Sequence, residues 1–186
     1  MQSSFTFIHI ELSSATPPAF PVELYWGTIP GDGSIGYLVN PQGIEKWAQW
    51  DNEFFRVHDI TNSDVLHSGS HPTVICDALG HALSGKTVYS KDPQQTLDLL
   101  AELFSVVDRQ PCEMTLLDLE ELFLQTLSTY GSVDNAEALA QIKKRVAEDH
   151  PHYLCGGAFE VLYYSAIWKL ISLNDRAEQI VGPERG

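Results

Sequence analysis

Three short apolar segments open the chain and limit its fold more than any other feature: "FTFIHIEL" (5–12), "VELYWGTI" (22–29) and "IGYLVN" (35–40). Each has the length and β-branched or aromatic character of a strand. Between the first two lies "ATPPAFP", where three prolines in seven residues make a rigid loop. Between the second and third lies "PGDGS" (30–34), which has hairpin-turn chemistry. The first forty residues therefore predict a three-stranded antiparallel meander.

The pattern then changes. Residues 41–60 read mostly as loop, with a helical turn at 44–49. Thr61 and Asp64 are spaced as a capping box for a short helix. "HPTVICDALGHALSG" (71–85) has helical spacing, with Gly85 as its C-cap. "KTVYS" (86–90) predicts a fourth strand, and Asp92 followed by Pro93 is a strong helix start. "CEMTLLDL" predicts a fifth strand running into a helix over 118–129. A further amphipathic helix follows at 134–148, then a long apolar helix from "PHYLCGG" onward, then a frayed tail at 182–186. Strands first, then alternating helix and strand, predict one α/β domain over 1–186. Its sheet is mixed, with three antiparallel and two parallel strands flanked by helices.

Bulk properties exclude several function classes. With 186 residues, 44% of them hydrophobic, the chain can bury a sizeable core. No apolar run reaches the roughly 18 residues that a membrane span requires, and the N-terminus lacks the pattern of a signal peptide. Cys76, Cys112 and Cys155 are widely spaced, as buried thiols of a cytoplasmic protein would be. A net charge of -14 opposes tight binding of long duplex nucleic acid, which needs Lys and Arg against phosphates. A short nucleic-acid end or a nucleotide is compatible with that charge where a bound cation supplies local positive charge.

The first strand carries the chemistry. His9 and Glu11 are two residues apart, so both side chains leave the strand on one face. One reading is a core strand whose polar pair has found partners. Another is a metal site. His9, Glu11 and His152 would make a two-histidine, one-carboxylate set, which suits Zn²⁺, Mn²⁺ or Fe²⁺ better than Mg²⁺. Trp26, Trp47 and Trp50 could stack on bases, although large aromatics on a strand or anchoring a loop are more often core. His58 and the remaining histidines carry no assigned role. The terminal helix, "VLYYSAIWKL", is apolar nearly all round, as a helix that is fully buried or paired with another subunit would be.

Four strings, in order, resemble the DEDDh 3′–5′ exonucleases of the ribonuclease H-like fold. They are "FIHIELSS", "RVHDIT", "GKTVYS" running into a helix, and the late histidine of "PHYLCGGAF". The resemblance covers residues 5 to about 173. It implies two-metal phosphodiester hydrolysis, in which acids hold Mg²⁺ or Mn²⁺ and a histidine serves as general base. Carried onto this chain, the glutamate position falls on Glu11 and the histidine on His152, both retained. The three aspartate positions fall on His9, Thr96 and Gly157. Nearby acids offer limited rescue. Asp92 is placed to cap its helix, and Asp98 faces away from Thr96. Glu160 shares a helix face with Gly157 and is the best candidate for a replacement ligand.

The expectation is thus an exonuclease-like protein with most metal acids replaced and cutting impaired or lost. It would hold a short single-stranded 3′ end or a nucleotide, and could pair as a homodimer. Two alternatives stand beside it. One is an active Mn²⁺- or Mg²⁺-dependent exonuclease using Glu11, Glu160 and His152, with His9 as a further ligand. The other is a protein-interaction module on the same scaffold.

Overall fold

The computed structural model describes residues 4–14, 19–31, 34–47, 60–129, 134–151 and 157–172, with backbone alone at 157 and 158. His152, Trp50, His58 and Cys155 lie outside the described residues, so the expectations placed on them have no structural counterpart here.

Five strands form one sheet in the order β3-β2-β1-β4-β5. The strands are β1 (Phe5–Leu12), β2 (Pro21–Ile29), β3 (Ser34–Leu38), β4 (Thr87–Ser90) and β5 (Thr115–Asp118). β1, β2 and β3 pair antiparallel, while β4 runs parallel to both β1 and β5. The mixed sheet expected from the order of elements is therefore present. The described helices are α1 (Asn62–Ser68), α2 (Pro72–Leu83), α3 (Pro93–Ser105), α4 (Leu119–Thr129), α5 (Asn135–Asp149) and α6 (Gly157–Ser172).

Local chemistry sets the helix starts. Thr61 and Asp64 form a reciprocal capping box on α1. The Asp92 side chain accepts from the Gln95 amide at the start of α3. Asp118 does the same for α4, accepting from the amides of Glu120 and Glu121. One boundary differs from expectation. α2 ends at Leu83 with Ser84 as its cap, and Gly85 follows in the left-handed region (φ 71°), where its amide donates to Glu113 O. The chain turns there into β4 rather than closing the helix on itself.

The sheet is covered on both faces. On one side Ile8, Ile10, Leu24 and Trp26 pack against α2 and α3, with Leu79, Leu83, Leu100 and Leu103 fully buried. On the other, Phe7 and Ile29 meet Phe123 of α4, Leu139 and Ile142 of α5, and Tyr164 and Trp168 of α6. Burying one such side chain contributes about 1.5–3 kcal/mol, so the two layers hold the sheet rigid between them. Val161, Ile167 and Ile171 of α6 are also buried within the chain, so its own core uses the helix's apolar character. No described helix is long and apolar enough to cross a membrane.

Candidate functional site

Alternation along β1 sends Ile8 and Ile10 toward α2 and α3, and Phe7, His9 and Glu11 toward α6. His9 pairs across the antiparallel ladder with Tyr25, and Glu11 with Glu23. The register slips between Glu11 and Leu12, whose partner is Pro21. Bulges of this kind re-aim side chains and end pairing beside functional sites. Just beyond, Ser13 is fully buried, and its hydroxyl accepts from the Phe20 amide. This ties the end of β1 to the start of β2.

His9 sits between two carboxylates. Its Nε2 is 2.8 Å from Glu11 Oε1, and its Nδ1 is 2.7 Å from Glu160 Oε2. The side chains of His9 and Glu11 are each 13% exposed, and that of Glu160 is 24% exposed. Glu160 Oε2 is buried, and its charge is met by the ion pair with His9 rather than by a conventional hydrogen bond among the described residues. Burial alone would discharge the imidazole. Hydrogen bonding to Glu11, together with the contact and charge of Glu160, outweighs burial and lifts the His9 pKa from 6.5 to about 9. An imidazole with both nitrogens turned to carboxylates is satisfied as the doubly protonated cation, which has two donors and no lone pair left.

A second polar pair lies beside the first. The Tyr25 hydroxyl donates to Glu23 Oε1 at 2.5 Å, and Glu23 is 8% exposed. Burial and the Glu23 carboxylate push the Tyr25 pKa up, and Glu11 adds to the same effect. The Tyr25 ring lies across Gly36 on β3, leaving no room there for a Cβ. Sequence reasoning overlooked Glu23 and Tyr25. Their signal was the two-residue spacing in "VELYWG", opposite that of His9 and Glu11, but it becomes legible only once the ladder register is known.

At the carboxyl ends of β1 and β4 lies a cavity of about 380 Å³, lined by residues of β1, of the β4–α3 segment and of α6. The lining brings together His9, Glu11, Glu160, Asp92 and Thr96. Thr96 is buried on α3, and Asp92 is engaged as its N-cap. Asp98 accepts from Gln94 on the exposed side of α3 and does not line the cavity. Gly157 opens α6, one turn before Glu160. Among the described residues no group of three or more His, Cys, Asp or Glu side chains is arranged as a metal-ion ligand set.

The described tryptophans near the strands are core. Trp26 is buried and stacks on Tyr37. Trp47 is 1% exposed and stacks on Phe20 at 5.1 Å, and its indole N–H donates to Glu102 Oε1. His67, His71 and His81 are occupied with Ser63, Thr73 and the Asp77 carbonyl, and His150 is the C-cap of α5.

No protein-family model and no curated protein matches this sequence. Solved structures do share its fold. E. coli exonuclease I in complex with a 5cy-dT13 oligonucleotide superposes with a TM-score of 0.61, at 10% identity over 97% of this chain. This chain spans 42% of the length of exonuclease I. The nuclease domain of 3′hExo, a DEDDh family member bound to rAMP, gives a TM-score of 0.58 at 11% identity, covering 90% of this chain and 91% of that domain. A full-length 3′-exonuclease gives 0.59 at 12% identity, covering 90% and 81%. The chain therefore has the ribonuclease H-like fold of the DEDDh 3′–5′ exonucleases.

Proposed function

We propose that this protein is an exonuclease-fold protein that receives a short single-stranded nucleic-acid 3′ end or a nucleotide beside Glu11 and does not cut it by two-metal chemistry. The observation that carries this reading is the position of His9. The resemblance assigns His9 to the place of an aspartate that would touch both ions. In this chain that side chain is not an acceptor of cations; it is itself held as a cation by Glu11 and Glu160.

Chemistry of the donor set supports the reading. Mg²⁺ demands several oxygen ligands in octahedral geometry. Glu11 and Glu160 each spend an oxygen on the imidazole, and His9 has both nitrogens engaged. Thr96 and Gly157 bring no carboxylate to the remaining aspartate positions. The donors present do not fit a pair of divalent ions, so no hydrolytic step is assigned to them.

Two observations support a retained groove. The cavity at the carboxyl ends of β1 and β4 lies where open α/β sheets place ligands. A relative in fold was solved with a thymidine oligonucleotide, and another with rAMP. The charge of -14 restricts the ligand to a short end rather than a long duplex.

The test is a nuclease assay on end-labelled single-stranded DNA and RNA with Mg²⁺ and then Mn²⁺, with Glu11→Gln beside the wild type. The expected result is no 3′ shortening, or shortening equal in both proteins. Stepwise shortening that disappears in Glu11→Gln would overturn the reading.

A further inference from the structure

A second cavity, of about 310 Å³, opens between α2, the end of α3 and residues 109–112, and it shares no lining residue with the one beside Glu11. That volume is at the small end of the range for small-molecule sites. Its apolar part is made by Phe104 and Cys76, both buried, and by half-buried Cys112. Each thiol leans on a neighbouring carbonyl, Cys76 on Leu103 O and Cys112 on Leu79 O, and burial pushes both thiols above their ordinary pKa. They therefore line the cavity as neutral, weakly polar groups and not as thiolates. Gly80 lies inside α2 on the same lining, and a Cβ placed there would meet nothing within 4 Å. Glycine is the poorest helix former after proline, and no close approach among the described residues requires it here. Its missing side chain leaves room over the cavity floor.

The charges at the rim state what kind of ligand fits. Besides His81, whose Nδ1 donates to the Asp77 carbonyl, the charged groups of the lining are one carboxylate and one guanidinium. They pair with each other: Arg109 Nη1 donates to Asp77 Oδ1. Their side chains are 43% and 55% exposed, and among the described residues no further hydrogen bond engages Asp77 Oδ2 or the other guanidinium nitrogens. A simple anion at Arg109 would face the Asp77 carboxylate, and a simple cation at Asp77 would face the guanidinium. A ligand that carries both charges on adjacent atoms meets an opposite charge with each.

We propose that this cavity binds a free α-amino acid with an apolar side chain, its carboxylate on Arg109, its ammonium on Asp77 and its side chain over Gly80 against Phe104. The site is independent of the groove beside Glu11.

Calorimetric titration tests it with L-phenylalanine and L-leucine, beside glycine, N-acetyl-L-phenylalanine and L-phenylalaninamide. Low ionic strength is used because charges that face water are screened by salt. Phenylalanine and leucine are expected to bind once per chain. Glycine lacks the apolar group, the acetyl derivative the ammonium and the amide the carboxylate, and each is expected to bind about threefold to tenfold weaker or worse. Arg109→Gln should weaken phenylalanine and leave the amide unchanged. Gly80→Leu fills the floor and should abolish binding, with helix content by circular dichroism as the check that it folds; the wild-type ligand series stands whether or not it does. Absence of binding by the wild type, equal binding of phenylalanine and either blocked derivative, equal binding of glycine, or undiminished binding by folded Gly80→Leu would overturn the inference. None of these outcomes bears on the groove beside Glu11.

Discussion

His9 on β1 and Glu160 on α6 lie 151 positions apart in sequence, yet His9 Nδ1 stands 2.7 Å from Glu160 Oε2. This ion pair fastens α6 to the strand that would carry the chemistry in an exonuclease of this fold. Removing one member leaves the other's charge in a largely desolvated place. His9→Ala should therefore lower stability by about 1–3 kcal/mol, discounted from a fully buried pair because Glu160 keeps some solvent contact. A double-mutant cycle of His9→Ala with Glu160→Gln, read by urea denaturation, should show coupling of about 0.5–2 kcal/mol. Strict additivity would mean that the pair is incidental.

The same cluster predicts a pH dependence. The folded-state pKa of His9 is raised from 6.5 to about 9. Because the folded value lies above the unfolded one, the stabilisation is complete below about pH 6.5 and is lost as pH rises through 9. Denaturation midpoints of the wild type should fall between pH 6.5 and 9 relative to those of His9→Gln, which has no such group. Taking the difference between the two proteins cancels the buried thiol of Cys76, raised to about 11 by burial, which titrates in both. Parallel profiles would show that the folded protein does not raise the His9 pKa.

The pairing of Tyr25 with Glu23 predicts a separate effect. Tyr25→Phe removes the donor to a carboxylate that is 8% exposed. The cost should be about 1–3 kcal/mol, read by thermal or urea denaturation, and Tyr25→Phe in a Glu23→Gln background should cost less. Equal cost in both backgrounds would show that the hydroxyl acts elsewhere.

Trp47 should behave as a core residue. It stacks on Phe20 and donates to Glu102, which also pairs with Lys46. Trp47→Phe should lower stability by about 1–3 kcal/mol through lost packing and the lost indole donor. Affinity for a short oligonucleotide, measured where the variant is folded, should not change.

Much of this architecture was legible in the sequence because its signals are local. Proline and glycine punctuation marked the meander; Thr61, Asp64 and Asp92 marked helix starts through side-chain-to-amide bonds that span three residues, and Pro93 did so through its fixed φ at the first helical position. The site was legible in part for the same reason. The two-residue spacing of His9 and Glu11 fixes a shared face, and the three-residue spacing of Gly157 and Glu160 marked Glu160. What stayed hidden depends on tertiary placement. Glu160 reads from sequence as a candidate replacement ligand, but its 2.7 Å approach to His9 depends on how α6 docks on β1. Glu23 and Tyr25 became visible only through the ladder register, and Trp47 found Phe20 beside β2 and Glu102 on α3 through fold-dependent contacts.

The most direct test of the central claim is a Mn²⁺ titration of the wild type and His9→Asp, followed by calorimetry. The account predicts no saturable uptake by the wild type beside Glu11. It predicts uptake by His9→Asp, where a carboxylate replaces the imidazole beside Glu11 and Glu160 and makes the site richer in oxygen ligands, and loss of that uptake when Glu11→Gln is added. Saturable binding by the wild type that Glu11→Gln abolishes would contradict the account, because it would mean that the cluster opens to admit an ion.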